Sequence, residues 1–189
     1  MDYSTNFDGD LRRPNRIVTI FGDIGEYDGS GVTALEVANR VIELVQDDHH
    51  TPIYVLINSP GGSVPDGLSM LDSFDMARSN GCKVVTRCQG QAQSMAADLL
   101  ILGGDYRSIS PNSFVMVHGD WDKELRFGDS LDLESEARIR SIYTDRLLDL
   151  YEQRTKKLRK YWAKVLRDSR PVYFSPQEAL AAGLVDVIA

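Results

Sequence analysis

Ile53-Tyr54-Val55-Leu56-Ile57 runs directly into Asn58-Ser59-Pro60-Gly61-Gly62, and this stretch decides how the chain is read. An apolar run closed by turn-forming residues describes a strand buried on both faces, and such strands belong to parallel sheets. Upstream, Ile17-Val18-Thr19-Ile20-Phe21 has the same character. Between the two lies a Gly-rich turn and a helix with apolar residues at Leu35, Ala38, Val41, Ile42 and Val45. Downstream, Leu68, Leu71, Phe74 and Met76 mark a second helix, and Lys83-Val84-Val85-Thr86 a third strand. Strand, helix, strand, helix predicts an α/β fold around a parallel sheet.

Beyond Gln89 and Gly90 a short apolar helix is expected from Ser94 to Leu102, closed by Gly103-Gly104. Phe114-Val115-Met116-Val117 reads as a strand ending at His118, and Trp121 to Ser130 is polar without a clear period. Leu131 to Leu166 reads mainly as one long helix, its apolar positions including Ala137, Ile142, Leu147, Leu150, Leu158, Trp162 and Val165. Ser175-Pro176-Gln177-Glu178 has the form of a capping box, and Gly183 closes the helix that follows. Residues 1–15 are polar and read as a flexible N-terminal arm, leaving 16–189 as a single domain.

The 189 residues and 42% hydrophobic content allow one substantial core. A net charge of −7 excludes a dedicated nucleic-acid binder, which needs a basic face. Only Cys82 and Cys88 are present, too few for a disulfide framework, and no stretch has the ~20 apolar residues of a membrane span. A cytoplasmic protein with reduced thiols and no membrane contact is expected. Asp47-Asp48-His49-His50 reads as a solvated helix end rather than a metal site. Arg154, Lys156, Lys157, Arg159, Lys160 and Lys164 read as a solvated helix face. Neither metal nor cofactor is expected.

Residues able to do chemistry fall at three strand ends: Gly61-Gly62, Ser94 and His118. In an open parallel sheet those carboxyl ends are where ligands bind. A serine hydroxyl needs a base such as imidazole to take its proton, and a glycine turn can aim backbone N–H groups at a developing oxyanion. Each element taken alone also has an ordinary reading, as a turn, a helix N-cap and a structural histidine. Gly90-Gln91-Ala92-Gln93-Ser94 does not fit the G-x-S-x-G elbow of α/β-hydrolases.

Together and in order, the segments resemble the proteolytic subunit of the Clp protease. Tyr54 to Gly62 is similar to that family's oxyanion turn, Gly90 to Ala97 to its nucleophile segment, and Pro111 to His118 to its histidine segment. Arg16 to Gly22, Ser175 to Ala179 and Gly183 to Asp186 extend the likeness over roughly residues 16 to 188. The resemblance implies a ClpP-like, or crotonase-like, α/β superhelix, with a parallel-sheet head (16–120 and 171–189) and a long handle helix (about 121–170). It implies a serine endopeptidase subunit in stacked heptameric rings, a homo-oligomer or one mixed with a sister subunit. An AAA+ Clp unfoldase would deliver unfolded polypeptides to it. Ser94 would be the nucleophile, His118 the general base, and the N–H groups of Gly62 and Met95 the oxyanion hole.

The chain departs from the family where the third triad member belongs. Aligned backwards from Ser175, Pro171 stands in place of the aspartate, and proline cannot accept the imidazole N–H bond. Asp168 is the candidate for that role, with Asp120 and Asp122 as alternatives. Gln93 replaces a small residue, Ala96 a glycine, and Gly119-Asp120 the Gln-Pro that follows the histidine. The family's glycine-rich groove strand reads here as the charged segment Lys123 to Asp129. Two readings follow: an active serine peptidase, or a catalytically weak or inactive helper subunit. An acyl-CoA enzyme of the crotonase fold is a third, for which a Ser–His pair has no use.

Overall fold

The computed structural model describes residues 16–26, 29–119, 130–167 and 170–189. The two apolar runs are neighbours: β1 (Ile17–Phe21) and β2 (Ile53–Ser59) pair in parallel, with Ile17 against Tyr54 and Ile20 against Ile57. Helix α1 (Ala34–Asp47) crosses between them from a Thr33/Glu36 capping box and buries Val37, Val41 and Leu44. Helix α2 (Val64–Ser79), capped by Ser63, makes the next crossover to β3 (Val84–Gln93). Among the described residues the sheet order is β1-β2-β3-β4-β7, where β4 is Tyr106–Ile109 and β7 is Val187–Ile188. The expected α/β class with a parallel sheet is thus present. Helix α3 (Met95–Gly103) follows β3, and α6 (Pro176–Ala182) precedes β7.

Strand β3 runs well past the expected Thr86. Gly90 takes φ 103, and a Cβ there would lie 2.7 Å from the Asn58 side-chain oxygen, so the glycine lets the strand bend without ending. The first half of β3 pairs with β4 and the second half with β5 (Phe114–Val117). An antiparallel strand, β6 (Val172–Phe174), then pairs with β5. Sequence patterning missed β4, β6 and β7. The last two are very short, and β4 is masked by Arg107 and Ser108, polar residues that are nonetheless buried. Arg107 is tolerated there because Asp186 pairs with it at 2.6 Å while the Arg154 and Gly183 carbonyls accept from its Nη1. At the end of α3, Gly104 is extended rather than left-handed (φ −97), so the glycines there serve close packing. A Cβ on Gly103 would lie 2.9 Å from the Phe74 ring.

The expected unbroken handle helix is two helices, α4 (Ser130–Arg154) and α5 (Arg159–Arg167). A continuing helix would spend the Lys156 and Arg159 N–H groups on carbonyls four residues back. Here Lys156 N–H donates to Ala182 O at 2.9 Å and Arg159 N–H to Glu152 Oε1 at 2.7 Å. Helix α5 folds back and buries Trp162, Val165 and Leu166, leaving Leu158 exposed at the corner. The basic residues of this region are therefore not one solvated face. Arg154 turns inward to the Gly104 carbonyl, and Arg159 pairs with Asp145 and Asp149. The expectations for the N-terminal arm and for Lys123 to Asp129 lie outside the described residues.

Candidate active site

Strand register assembles the site. Gln93, the last residue of β3, is opposite Met116 of β5, so Ser94 and His118 leave the carboxyl ends of adjacent parallel strands. Ser59 of β2 is opposite Ala92, which brings the following glycine turn to the same place. A Cβ on Gly61 would lie 2.8 Å from Ser94 Cβ, 2.7 Å from Gln93 O and 3.2 Å from Met95 N. The three sequence-predicted elements therefore meet.

Ser94 stands at the N-cap of α3 but does not cap it: no hydrogen bond runs from its side chain to the helix. Its hydroxyl lies 2.8 Å from His118 Nε2. Ser94 is also the non-glycine residue with positive φ among the described residues (φ 52, ψ −127). A non-glycine residue held there costs about 1–3 kcal/mol, and such strain gathers where geometry is functional. The turn is pinned by Ser94 N–H donating to Met116 O at 2.9 Å and by the Ala97 and Asp98 N–H groups donating to Ser94 O. This is a strained strand-to-helix corner that presents a serine, although the G-x-S-x-G spelling is absent.

Two backbone donors adjoin it. Met95 is the first residue of α3, so its N–H has no acceptor within the helix, and the helix dipole adds partial positive charge. The Gly62 turn is braced by Ile24 N–H donating to Gly61 O and Ser63 N–H donating to Ile24 O, each at 2.8 Å, bonds that leave the Gly62 N–H unused. Gly62 must be glycine: at φ 142, a Cβ would overlap the Ile24 backbone.

Around His118 the surroundings are unusual. The antiparallel pairing Val117↔Val172, carried on by one residue, sets Pro171 across from His118. A Cβ on Gly119 would overlap the Leu166 carbonyl, so the end of α5 rests directly on the residue after the histidine. Asp168, Asp120 and Asp122 lie outside the described residues.

Other titratable groups near the site are accounted for. The Cys88 thiol is buried and pushed up to about 12 by that burial, and burial raises Cys82 as well, so neither is an activated nucleophile. Asp98, on the first turn of α3, is raised to about 7 by burial against the opposing pull of the Tyr151 hydroxyl, which donates to it at 2.6 Å. Sequence reading passed over this pair, although Asp98 is visibly the lone charge in Met95 to Gly103. Asp48 accepts from Thr51 Oγ1 and from the His50 and Thr51 N–H groups, which hold its carboxyl well below the usual range. Among the described residues no three His, Cys, Asp or Glu side chains converge as a metal site, and no helix is long and apolar enough to cross a membrane.

Comparison with known proteins gives a Clp protease family match over residues 15–189. The chain is 35% identical over 152 residues to the ATP-dependent Clp protease proteolytic subunit 3 of Synechococcus sp. (strain CC9902), covering 78% of this chain and 71% of that protein. It is 35% identical over 179 residues to proteolytic subunit 1 of Rhodopirellula baltica, covering 94% and 74%. To proteolytic subunit 2 of Prochlorococcus marinus (strain MIT 9312) it is 31% identical over 167 residues, covering 86% and 77%. With a match over nearly its whole length and relatives at these identities, the chain belongs to the Clp protease family.

Proposed function

We propose that the chain is a serine endopeptidase subunit of a self-compartmentalised Clp-type protease, acting in the cytoplasm on unfolded polypeptides delivered by an AAA+ Clp unfoldase. Stacked heptameric rings, of this chain alone or with a sister subunit, are the assembly this reading calls for. The observation that carries the chemistry is the strained Ser94, its hydroxyl free of any capping role and 2.8 Å from His118 Nε2. In the proposed reaction His118 Nε2 takes the hydroxyl proton as Ser94 Oγ bonds to the scissile carbonyl carbon. The carbonyl oxygen becomes an oxyanion facing the N–H groups of Gly62 and Met95. Each such donor is worth about 3–4 kcal/mol in the transition state. The imidazolium then protonates the departing amine as the C–N bond breaks. Water, deprotonated by His118, releases the acyl group from Ser94.

Asp168 is the proposed third partner. Leu166 rests on Gly119, and the β5–β6 register sets Pro171 opposite His118, so the segment containing Asp168 is anchored beside the imidazole at both ends. Pro171 also favours a second reading, a catalytically weak or inactive helper subunit of a mixed ring. The test is fluorophosphonate labelling, read by intact mass on wild type and Ser94→Ala, with the oligomeric mass taken on the same samples. Labelling confined to wild type supports the peptidase. An assembled ring that takes up no label supports the helper.

A further inference from the structure

Helix α3 is apolar along its whole length except for Asp98, and every other residue in it is buried. Apolar contacts are non-directional, so a helix enclosed by them is not fixed in rotation about its own axis by those contacts alone. Hydrogen bonds supply the missing direction. Near the C-terminal end, Thr86 Oγ1 donates to Leu100 O at 2.8 Å and Arg78 Nη1 to Gly103 O at 2.7 Å. On the first turn the tie is Tyr151, whose hydroxyl donates to Asp98 Oδ1 at 2.6 Å. Tyr151 is fully buried and braced in turn. Its ring packs on Trp162 at 4.5 Å, and Trp162 Nε1 donates to Thr155 Oγ1 at 2.8 Å. That hydroxyl donates to Tyr151 O at 2.6 Å. Trp162 also reaches Phe174 at 6.4 Å, and Phe174 pairs with Val115 on the strand that ends at His118.

We propose that Asp98 and Tyr151 are positioning residues for the Ser94–His118 pair. Their hydrogen bond sets the rotation of α3 and so aims the Met95 N–H and the Ser94 hydroxyl. The Tyr151–Trp162–Phe174 packing ties that same bond to the strand carrying His118. Neither residue touches the reacting atoms, and the inference rests on the peptidase reading. Asp98 lies one turn after Ser94 and donates its N–H to Ser94 O at 3.2 Å, so rotation of the turn is transmitted directly to the corner.

The test is the rate of fluorophosphonate labelling of the assembled full chain, at a temperature where each variant is fully folded. Tyr151→Phe keeps the ring stack and removes only the hydroxyl. It is expected to label about tenfold more slowly, as a displacement of a fraction of an ångström at a reacting centre would require. Asp98→Ala should match it, and Asp98→Asn, which keeps an acceptor for the hydroxyl, should recover most of the lost rate. Tyr151→Phe labelling at the wild-type rate overturns the inference. Absence of labelling in wild type overturns the peptidase reading instead, and positioning is then judged by amide hydrogen exchange at Ala97 and Asp98. Exchange there rises about tenfold in Tyr151→Phe if the bond holds the turn, and stays unchanged if the inference is wrong.

Discussion

Gly61→Ala puts a methyl group into the one contact that joins the glycine turn to the nucleophile corner. Its Cβ would lie 2.8 Å from Ser94 Cβ and 2.7 Å from Gln93 O, where carbon contacts settle at about 3.5–4.0 Å. Both sides are held. Gly61 N–H donates to Ser59 Oγ and its carbonyl accepts from Ile24, while Gln93 is paired in the sheet with Met116. Close to 1 Å of displacement must therefore be shared between the Gly62 and Met95 donors and the Ser94 hydroxyl, and a shift of that size costs on the order of 10²-fold in rate. The φ of 100 adds about 1–3 kcal/mol of backbone strain, a loss that lowers stability without unfolding a typical domain. The assay pairs the fluorophosphonate labelling rate with peptide kcat/KM, after far-ultraviolet dichroism and oligomeric mass confirm the fold. A folded Gly61→Ala that labels within about twofold of wild type would refute the placement of the oxyanion donors against Ser94.

Three further outcomes are expected. A carboxyl raised to about 7 in the folded state from 3.8 binds its proton more tightly when folded, so Asp98 contributes full stability below about pH 4 and loses it as pH rises to 7. Asp98→Asn should therefore equal wild type in denaturant midpoint near pH 4 and exceed it by several kcal/mol, on the order of 4, above pH 7; a gap that is flat with pH counts against the burial of that charge. Arg107→Met leaves Asp186 and the Gly183 and Arg154 carbonyls without their shared partner and should cost about 3–5 kcal/mol in chemical denaturation, the loss of Asp186 pairing being the main cause. Pro171→Asp offers a carboxylate across from His118 and should raise peptidase turnover about tenfold or more, whereas unchanged turnover would mean that the imidazole already has its carboxylate.

The parts of the fold legible in the sequence are those where burial follows a simple period. The strands at Ile17 and Ile53 are apolar on both faces, and α1 and α6 announce themselves by capping boxes at Thr33 and Ser175. Strand β4 was illegible because its burial depends on a partner 79 residues away: Arg107 reads as surface until Asp186 is beside it. Helix α4 looks continuous with α5 because Thr155 to Leu158 contains no breaker. The break arises from acceptors, Ala182 O and Glu152 Oε1, that only the folded chain supplies. At the candidate site, the residue types of Ser94, His118 and Gly62 were readable. The strained φ of Ser94 and the directness of the Gly61 contact were not, since both follow from the register of β2, β3 and β5.

That register also explains why the departures around His118 occur together. A side chain at Gly119 would collide with the Leu166 carbonyl, so α5 can rest there only because the position is glycine. Helix α5 reaches it only because the handle breaks after Arg154 and folds back, with Trp162 set between Tyr151 and Phe174. The same return path brings the chain to Pro171 opposite His118, on the short strand that Phe174 anchors. Glycine after the histidine, a broken handle and proline in the carboxylate's place are thus consequences of one rearrangement of the segment between α4 and β6. Restoring a bulky residue at 119 alone is therefore expected to expel α5 and expose Trp162 rather than to recreate the family's geometry. Tryptophan fluorescence of Gly119→Gln should shift to the red, and an unshifted spectrum would show that α5 does not depend on this contact.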